Sequence, residues 1–207
     1  MQQLLFGVAE PSLDRSLRRL TRVDLGAGAW IDHVPGWVSG DGQMFRSLRR
    51  SMSWQACRRP MYERVVDVPR LLASIPEHGP GHPLIPVMAS VLSRRYERAL
   101  WRHSLALYRD GRDSVAWHGD RVTNRHDALV AVVSLGSPRR FLVRPKGGGA
   151  SRSFPAGHGT LIVMGGTAQA TFEHCVPKVA SAEPRLCIML REAGTALASD
   201  VRRRRSG

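Results

Sequence analysis

Two residues with metal-binding side chains, His118 and Asp120, are separated by a single glycine in the segment YRDGRDSVAWHGD (108–120). On a β-strand, side chains alternate between the two faces, so residues i and i+2 point the same way. An imidazole and a carboxylate presented together are two of the three protein ligands of a mononuclear iron site, whose remaining ligand is a second histidine. His174, in TFEHCVPK, is the candidate for that position. The triplet alone is weak evidence, because eight histidines produce such a spacing readily by chance.

Two arginines follow His174 in the strand-like segment EPRLCIMLRE. Arg185 and Arg191 are six residues apart, so a strand would place both on one face, opposite the apolar residues between them. Guanidinium groups on the inward face of an apolar strand are costly unless an anion meets them. A dicarboxylate co-substrate would supply that anion. The alternative is that both arginines face solvent on an amphipathic edge strand.

Four ordered segments resemble the core of the AlkB family of iron(II)- and 2-oxoglutarate-dependent nucleic-acid dealkylases. They are LALYRDGRDSVAWHGD, VAVVSLGSPRRFLVR, GTLIVMGGTAQATFEHCVPK and EPRLCIMLR, and the resemblance extends from roughly Trp54 to Arg191. It implies that His118, Asp120 and His174 bind Fe(II) and form the catalytic centre.

The resemblance also implies a co-substrate and a reaction. Arg185 would pair with the far carboxylate of 2-oxoglutarate, assisted by the hydroxyl of Tyr108, and Arg191 would lie near the keto-acid end. Molecular oxygen and 2-oxoglutarate would be consumed, and succinate and CO2 released. A methyl group on a base nitrogen of alkylated DNA or RNA would be hydroxylated and lost as formaldehyde, which is alkylation-damage repair. The damaged base must leave the stack to reach the iron.

A segment ahead of the core combines aromatic and basic residues. Trp54, Arg58 and Tyr62 lie in WQACRRPMYERVVDVPRLL, a composition that suits base stacking and phosphate contact. Its MY…VPRL pattern is similar to the family's lid over the flipped nucleotide, which makes these three residues candidates for substrate binding. The alternative is an amphipathic hairpin whose aromatic residues pack on the core.

The sequence departs from the family's pattern at three positions. Ala106 and Cys187 stand where members of the family carry asparagine, usually at the first position and often at the second. Both changes remove hydrogen bonds to the co-substrate, so we expect either a lower affinity for it or compensation by other residues. At the position of Val122, members of the family often carry an acidic residue that helps to recognise the base. Asp127 could take this role.

Composition limits the class of protein. At 207 residues with 43% hydrophobic residues, the chain fits one domain with a sizeable core. A net charge of +14 predicts a polyanionic partner. Nearly all the positive charge is arginine, however, and a GC-rich genome would produce the same bias.

Cysteine usage and apolar runs predict the compartment. Cys57, Cys175 and Cys187 are an odd number without CxxC spacing, which argues against a disulfide framework and a zinc ribbon. No signal peptide and no apolar run of membrane-spanning length are evident. We therefore expect a cytoplasmic protein, and a monomer without membrane contact.

From Ser104 the apolar pattern has period two, broken by turn residues. We expect a mainly β fold with flanking helices (α+β), in which a cupin-like jelly roll, the double-stranded β-helix, follows an N-terminal nucleotide-recognition lid. Helical spacing predicts helices within 44–52 and 87–101. Strands are expected near 104–109, 114–119, 128–135, 139–145, 151–155, 159–164, 170–176 and 185–192.

One domain over 1–207 is predicted, with four parts. An N-terminal extension and lid (1–75) precede a loop and bracing helix (76–103), the catalytic core (104–193) and a basic tail (194–207). Within the extension, 13–25 is expected to be a short helix or loose arm, and 28–37 a short strand ending in a turn. His33 is expected in a turn or on the surface.

Two other functions stay open on the sequence. The same iron chemistry could act on a protein side chain, a lipid or a metabolite, although the excess of arginine disfavours this. The barrel could also be a non-catalytic nucleic-acid-binding module, and Ala106 and Cys187 are the best support for that alternative.

Overall fold

The structure is a computed structural model that describes residues 10–61, 64–75, 81–120, 122, 124 and 126–192, with backbone alone at 58–61, 64–67 and 102–103. Its helices are α1 (Asp41–Ser51), α2 (Leu84–Tyr96) and the single turn α3 (Ala168–Thr171). Its strands are β1 (Ser12–Leu13), β2 (Thr21–Gly26), β3 (Ala29–Val34), β4 (Val38–Ser39), β5 (Gln55–Met61), β6 (Arg64–Ser74), β7 (Leu100–Tyr108), β8 (Val115–His118), β9 (Val130–Gly136), β10 (Arg139–Pro145), β11 (Arg152–Ala156), β12 (Thr160–Gly166), β13 (Phe172–Val176) and β14 (Arg185–Glu192).

Two antiparallel sheets form the body of the molecule. The larger sheet has the order β2-β3-β12-β9-β14-β7-β6-β5, and the smaller has the order β11-β10-β13-β8. Strands β1 and β4 form a separate two-stranded sheet. Consecutive core strands thus alternate between two facing sheets in places, as expected for a jelly roll.

The strands of the large sheet divide their side chains between two cores. In β14, Leu186, Ile188 and Leu190 are buried in the core that the sheet shares with helices α1 and α2. Cys187 points the other way, into the core between the two sheets, which also contains Phe141 and Val143 of β10. We call these the helix-side core and the inter-sheet core. The alternation explains why even spacing along β14 selects one face.

The predicted elements are largely confirmed. All eight predicted core strands are present, although β8 ends at His118 and the start of the predicted strand 170–176 is helical. Helix α2 ends before the predicted limit because Glu97 adopts a left-handed conformation (φ 55°), after which β7 begins at Leu100.

The prediction of a short helix or loose arm over 13–25 is wrong. Thr21–Gly26 forms β2, which pairs with β3 at the edge of the large sheet. The physical reason is the buried carboxylate of Asp32, which needs partners. Arg22 binds both of its oxygens, at 2.7 and 2.8 Å, and the hydroxyl of Tyr96 donates to it at 2.8 Å.

The segment assigned to the N-terminal extension also contributes β5 and β6, which continue the large sheet beyond β7. His33, predicted in a turn or on the surface, lies within strand β3 and is partly exposed, and its Nε2 contacts the carbonyl of Pro155 at 3.0 Å. The predicted basic tail lies outside the described residues. No helix in the described part of the chain combines the length and apolar character needed to cross a bilayer.

Candidate metal centre

The two candidate histidine ligands are cross-strand neighbours. His118 ends β8, and the strand register places it directly opposite His174 of β13. Their ring centroids are 4.3 Å apart. Phe141 stacks on the His174 ring, with the ring centroids 5.1 Å apart. Sheet pairing therefore brings together two imidazoles that are far apart in sequence.

Asp120 completes the cluster from beyond the end of β8. Its Oδ2 lies 3.8 Å from His174 Nε2, and the ligand atoms of Asp120, His118 and His174 all lie within 4.8 Å of one another. The predicted convergence of the three residues is confirmed. Strand alternation does not produce it, however, because Asp120 is not part of the strand.

The tautomer of His118 follows from its neighbours. Its Nδ1 lies 2.9 Å from the carbonyl oxygen of Ala116 and 3.1 Å from that of His174. A carbonyl oxygen only accepts, so Nδ1 carries the hydrogen and Nε2 keeps a free lone pair. A metal-binding histidine is typically fixed in this way.

Charges around the cluster favour an anionic Asp120, and burial favours a neutral His174. Burial by itself would raise the pKa of Asp120, but Arg191, whose Nη2 donates to Oδ1 at 2.6 Å, and the two imidazoles hold that pKa far below its ordinary value. Burial, with a contribution from His118, lowers the pKa of His174 to about 3. A carboxylate and a neutral imidazole are the protonation states that bind a divalent cation.

Arg185 provides an anion site in the inter-sheet space. Its side chain is 1% exposed, and it donates from Nη2 to Ser134 Oγ at 2.8 Å and from Nε to the carbonyl of Ala156 at 3.2 Å. Its Nη1 is buried and has no hydrogen-bond partner in the described part of the chain. The guanidinium lies 4.9 Å from the ring of Tyr108, whose pKa is raised chiefly by burial, so the phenol keeps its proton and can donate.

Arg185 and Arg191 share the inward face of β14, as predicted. The alternative of solvent-facing arginines on an edge strand is wrong, because β14 lies between β9 and β7 within the large sheet. Arg191 is 9% exposed and, besides Asp120, contacts Ser104 Oγ at 3.1 Å.

The residues present fit an iron(II) ion with a bound dicarboxylate. Two imidazoles and one carboxylate converge at one end, a donor set suited to non-haem iron. The unpartnered Nη1 of Arg185 and the Tyr108 hydroxyl suit a carboxylate at the other end. Ala106 and Cys187, buried in the same inter-sheet core, offer it little hydrogen bonding.

The predicted lid residues are not placed against this site. Trp54 packs on the helix-side core and donates from Nε1 to the carbonyl of Arg49 at 3.0 Å. Tyr62 and the side chain of Arg58 lie outside the described residues. Substrate binding by these three residues stays a prediction.

Three residues near the site were missed by sequence reasoning. Ser134 was visible as the one hydroxyl in the apolar run VAVVSLG, whereas Gln169 carried no local signal. Gln169 Oε1 accepts the backbone N–H of Asp120 at 2.7 Å. Arg70 donates to the carbonyl of Ser114 at 3.2 Å and is close enough to His174 to lower its pKa slightly.

Comparison with known proteins agrees with this site. The sequence model of the 2OG-Fe(II) oxygenase superfamily matches residues 48–205. The chain therefore belongs to the 2OG-Fe(II) oxygenase superfamily, whose members use iron(II) and 2-oxoglutarate.

Within that superfamily the chain is AlkB-like. It is 35% identical over 96 residues to human alpha-ketoglutarate-dependent dioxygenase alkB homolog 3, a match that covers 41% of this chain and 34% of the relative. The mouse homolog 3 is 32% identical over 121 residues, covering 52% of this chain and 42% of the relative. The matched region thus spans about a third to two-fifths of the length of these relatives.

The solved structure of OsALKBH1 has the same fold. It superposes with a TM-score of 0.53 at 13% sequence identity, over 83% of this chain and 100% of that chain. At this identity the likeness concerns the fold, and it confirms the jelly roll that the strand pattern predicted.

Proposed function

We propose that this protein is an Fe(II)/2-oxoglutarate-dependent dioxygenase that removes N-linked methyl groups from bases in DNA or RNA. Formaldehyde, succinate and CO2 are its products, and repair of alkylation damage is its role. The observation that carries the proposal is the convergence of His118, Asp120 and His174 in one barrel. The same barrel contains the buried Arg185, whose Nη1 has no hydrogen-bond partner among the described residues. The similarity to alkB homolog 3 supports the choice of substrate class.

Each residue of the site has a distinct part in this reaction. His118, Asp120 and His174 hold the ion, and Arg191 keeps Asp120 ionised through the 2.6 Å contact. When bound, iron(II) with 2-oxoglutarate and oxygen supplies the oxidising chemistry. Arg185 fixes the far carboxylate of the co-substrate, and the protonated Tyr108 donates to it. The apolar walls of the inter-sheet core exclude water from the reacting groups.

The substrate is expected to be a base that has left its stack. A methyl group on a ring nitrogen weakens pairing, which lowers the cost of flipping the base towards the ion. Hydroxylation of that methyl group gives a hemiaminal, which releases formaldehyde and restores the base. The net charge of +14 supports binding to a polyanion.

Formaldehyde release from a panel of methylated oligonucleotides tests the proposal. Single- and double-stranded oligonucleotides carrying 1-methyladenine or 3-methylcytosine are incubated with protein, Fe(II) and 2-oxoglutarate. Turnover is expected on at least one of them. His118→Ala and Asp120→Ala should abolish turnover while oligonucleotide affinity stays within about threefold. His158→Asn, which alters an exposed histidine outside the site, is the matched control and should keep full activity.

Two results would contradict the proposal. Absence of turnover on every methylated oligonucleotide, with metal shown to be bound, would exclude it. Succinate formation stimulated by a protein, lipid or metabolite, and not by oligonucleotides, would retain the iron chemistry and change the substrate class.

A further inference from the structure

Asp120 needs a support that the sheet does not provide. Strand β8 ends at His118, so no ladder hydrogen bond of β8 orients the peptide of Asp120. Among the described residues, two side chains form hydrogen bonds with Asp120 instead. Arg191 binds the carboxylate, and Gln169 accepts the backbone N–H at 2.7 Å. Arg191 acts on the charge of Asp120, whereas Gln169 acts on its position.

Gln169 is itself fixed from several sides. It is 1% exposed in the single turn α3, between β12 and β13. Lys146 Nζ donates to the carbonyl oxygen of Gln169 at 2.8 Å and to that of Ala170 at 2.6 Å. The amide of Gln169 lies between the Asp120 N–H, which can only donate, and Met164 Sδ at 3.6 Å from Nε2. The oxygen must therefore face Asp120, and the nitrogen faces the sulfur.

The backbone around Asp120 lies directly on this side chain. A Cβ atom added at Gly119 would be 3.4 Å from the Gln169 carbonyl oxygen and 3.8 Å from Oε1. Gln169 also precedes His174 by five residues, so one short segment contacts the Asp120 peptide and carries a second ligand.

We infer that Gln169 is a positioning residue for the metal centre, which holds the Asp120 peptide so that Oδ2 faces His174 Nε2. The inference rests on the iron chemistry of the proposed function and is independent of the nucleic-acid substrate. Groups that orient metal ligands typically change metal affinity 10–100-fold when removed.

Mn(II) binding to the apoprotein, measured by calorimetry without co-substrate or nucleic acid, tests this inference. Gln169→Met keeps the length of the side chain and removes the acceptor, and it should weaken Mn(II) binding about 10–100-fold. Gln169→Glu keeps an acceptor oxygen and should bind Mn(II) within about threefold of the wild type or more tightly. Gln43→Met, at a buried amide oxygen without a partner among the described residues, is the matched control and should bind normally.

A role in packing alone predicts the reverse order, because the apolar methionine would be tolerated and the buried carboxylate would not. The inference is overturned if Gln169→Met binds Mn(II) within threefold of the wild type, or if Gln169→Glu loses tenfold or more. If thermal melting shows that Gln169→Met does not fold, the Gln169→Glu result alone decides. Failure of nucleic-acid demethylation would leave these affinities unchanged, so the two proposals are tested separately.

Discussion

Arg185 shows at the level of one residue how a buried charge specifies a ligand. The guanidinium is 1% exposed, and its hydrogen-bond acceptors among the described residues are the neutral oxygens of Ser134 and Ala156. A buried charge without a counter-ion is costly. The buried guanidinium of Arg185 is therefore expected to be stabilised when an anion contacts Nη1.

Arg185→Lys should weaken 2-oxoglutarate binding at least tenfold, since losing a hydrogen bond to a charged group costs about 1.5–3 kcal/mol. An ammonium group cannot contact Ser134, Ala156 and a carboxylate with the same planar geometry. Calorimetric titration of 2-oxoglutarate into the Mn(II)-loaded protein measures the effect, and Mn(II) affinity itself should be unchanged.

Arg152→Lys is the control for this prediction. Arg152 is exposed and contacts only the carbonyl of Asp24, at 2.7 Å, among the described hydrogen bonds. Normal 2-oxoglutarate affinity in Arg185→Lys would remove Arg185 from the co-substrate site.

At the level of elements, the turn over 109–114 links the strand that carries Tyr108 to the strand that carries His118. Asp113, 3% exposed, accepts from Arg109 Nε and Nη2 at 2.8 Å each and from the Arg109 backbone N–H. Arg139 donates to the carbonyls of Asp110 and Asp113 from strand β10 of the smaller sheet. These hydrogen bonds therefore fix the turn that connects the strands of Tyr108 and His118.

Asp113→Asn should destabilise the protein by about 1.5–3 kcal/mol at pH 7, because charge-assisted bonds to Arg109 are weakened. Burial would raise the pKa of Asp113, but the bonds to Arg109 outweigh it and lower the pKa below 3.8. A depressed pKa contributes stability above pH 3.8 that is lost as the pH falls through the folded value. The difference between wild type and variant in urea unfolding should therefore shrink from pH 5 to pH 3. A difference independent of pH would contradict this assignment.

Close packing of β12 on β3 gives a second prediction for an element. A Cβ atom at Gly165 would lie 2.0 Å from the Trp30 ring, which is stacked on Tyr96 at 5.8 Å. Gly165→Ala should lower the free energy of unfolding by about 1–3 kcal/mol, since the ring must move out of its stack.

Gly42→Ala makes the same chemical change in helix α1 and should instead raise the free energy of unfolding. Its Cβ would meet only Arg46 Nη1, at 3.5 Å, and alanine favours the helix by up to about 1 kcal/mol. Urea unfolding of both variants compares the two signs. Equal changes in the free energy of unfolding for the two variants would show that contact with Trp30 does not limit substitution at Gly165.

The sequence predicted those elements whose residues carry a local signal. Period-two patterns located the core strands, and even spacing along β14 placed Arg185 and Arg191 on one inward face. Asp120 was predicted for the right site by an incorrect route, because its orientation depends on Gln169, 49 residues further along the chain. Strand β2 was missed for a similar reason, since a buried Asp32 is its partner and burial is a property of the fold.

At the level of the whole molecule, positive charge dominates, at +14 for 207 residues. If about six phosphates are contacted, log K for duplex DNA should fall against log[salt] with a slope of about −5. Fluorescence anisotropy between 50 and 300 mM salt measures it. Asp120→Ala should show a similar slope, because Asp120 is buried and we expect phosphates to contact exposed arginines. A flat dependence would remove nucleic acid as the partner.

The cross-strand pairing of His118 with His174 has a consequence for how the chain reaches its native state. If β13 slipped by one residue against β8, its pleat would turn His174 to the opposite side of the sheet. A chain misfolded in this way could not chelate the ion. Divalent metal added during refolding should therefore enrich correctly aligned molecules and raise the recovered yield. The ion would then stabilise the native strand register in addition to taking part in the reaction.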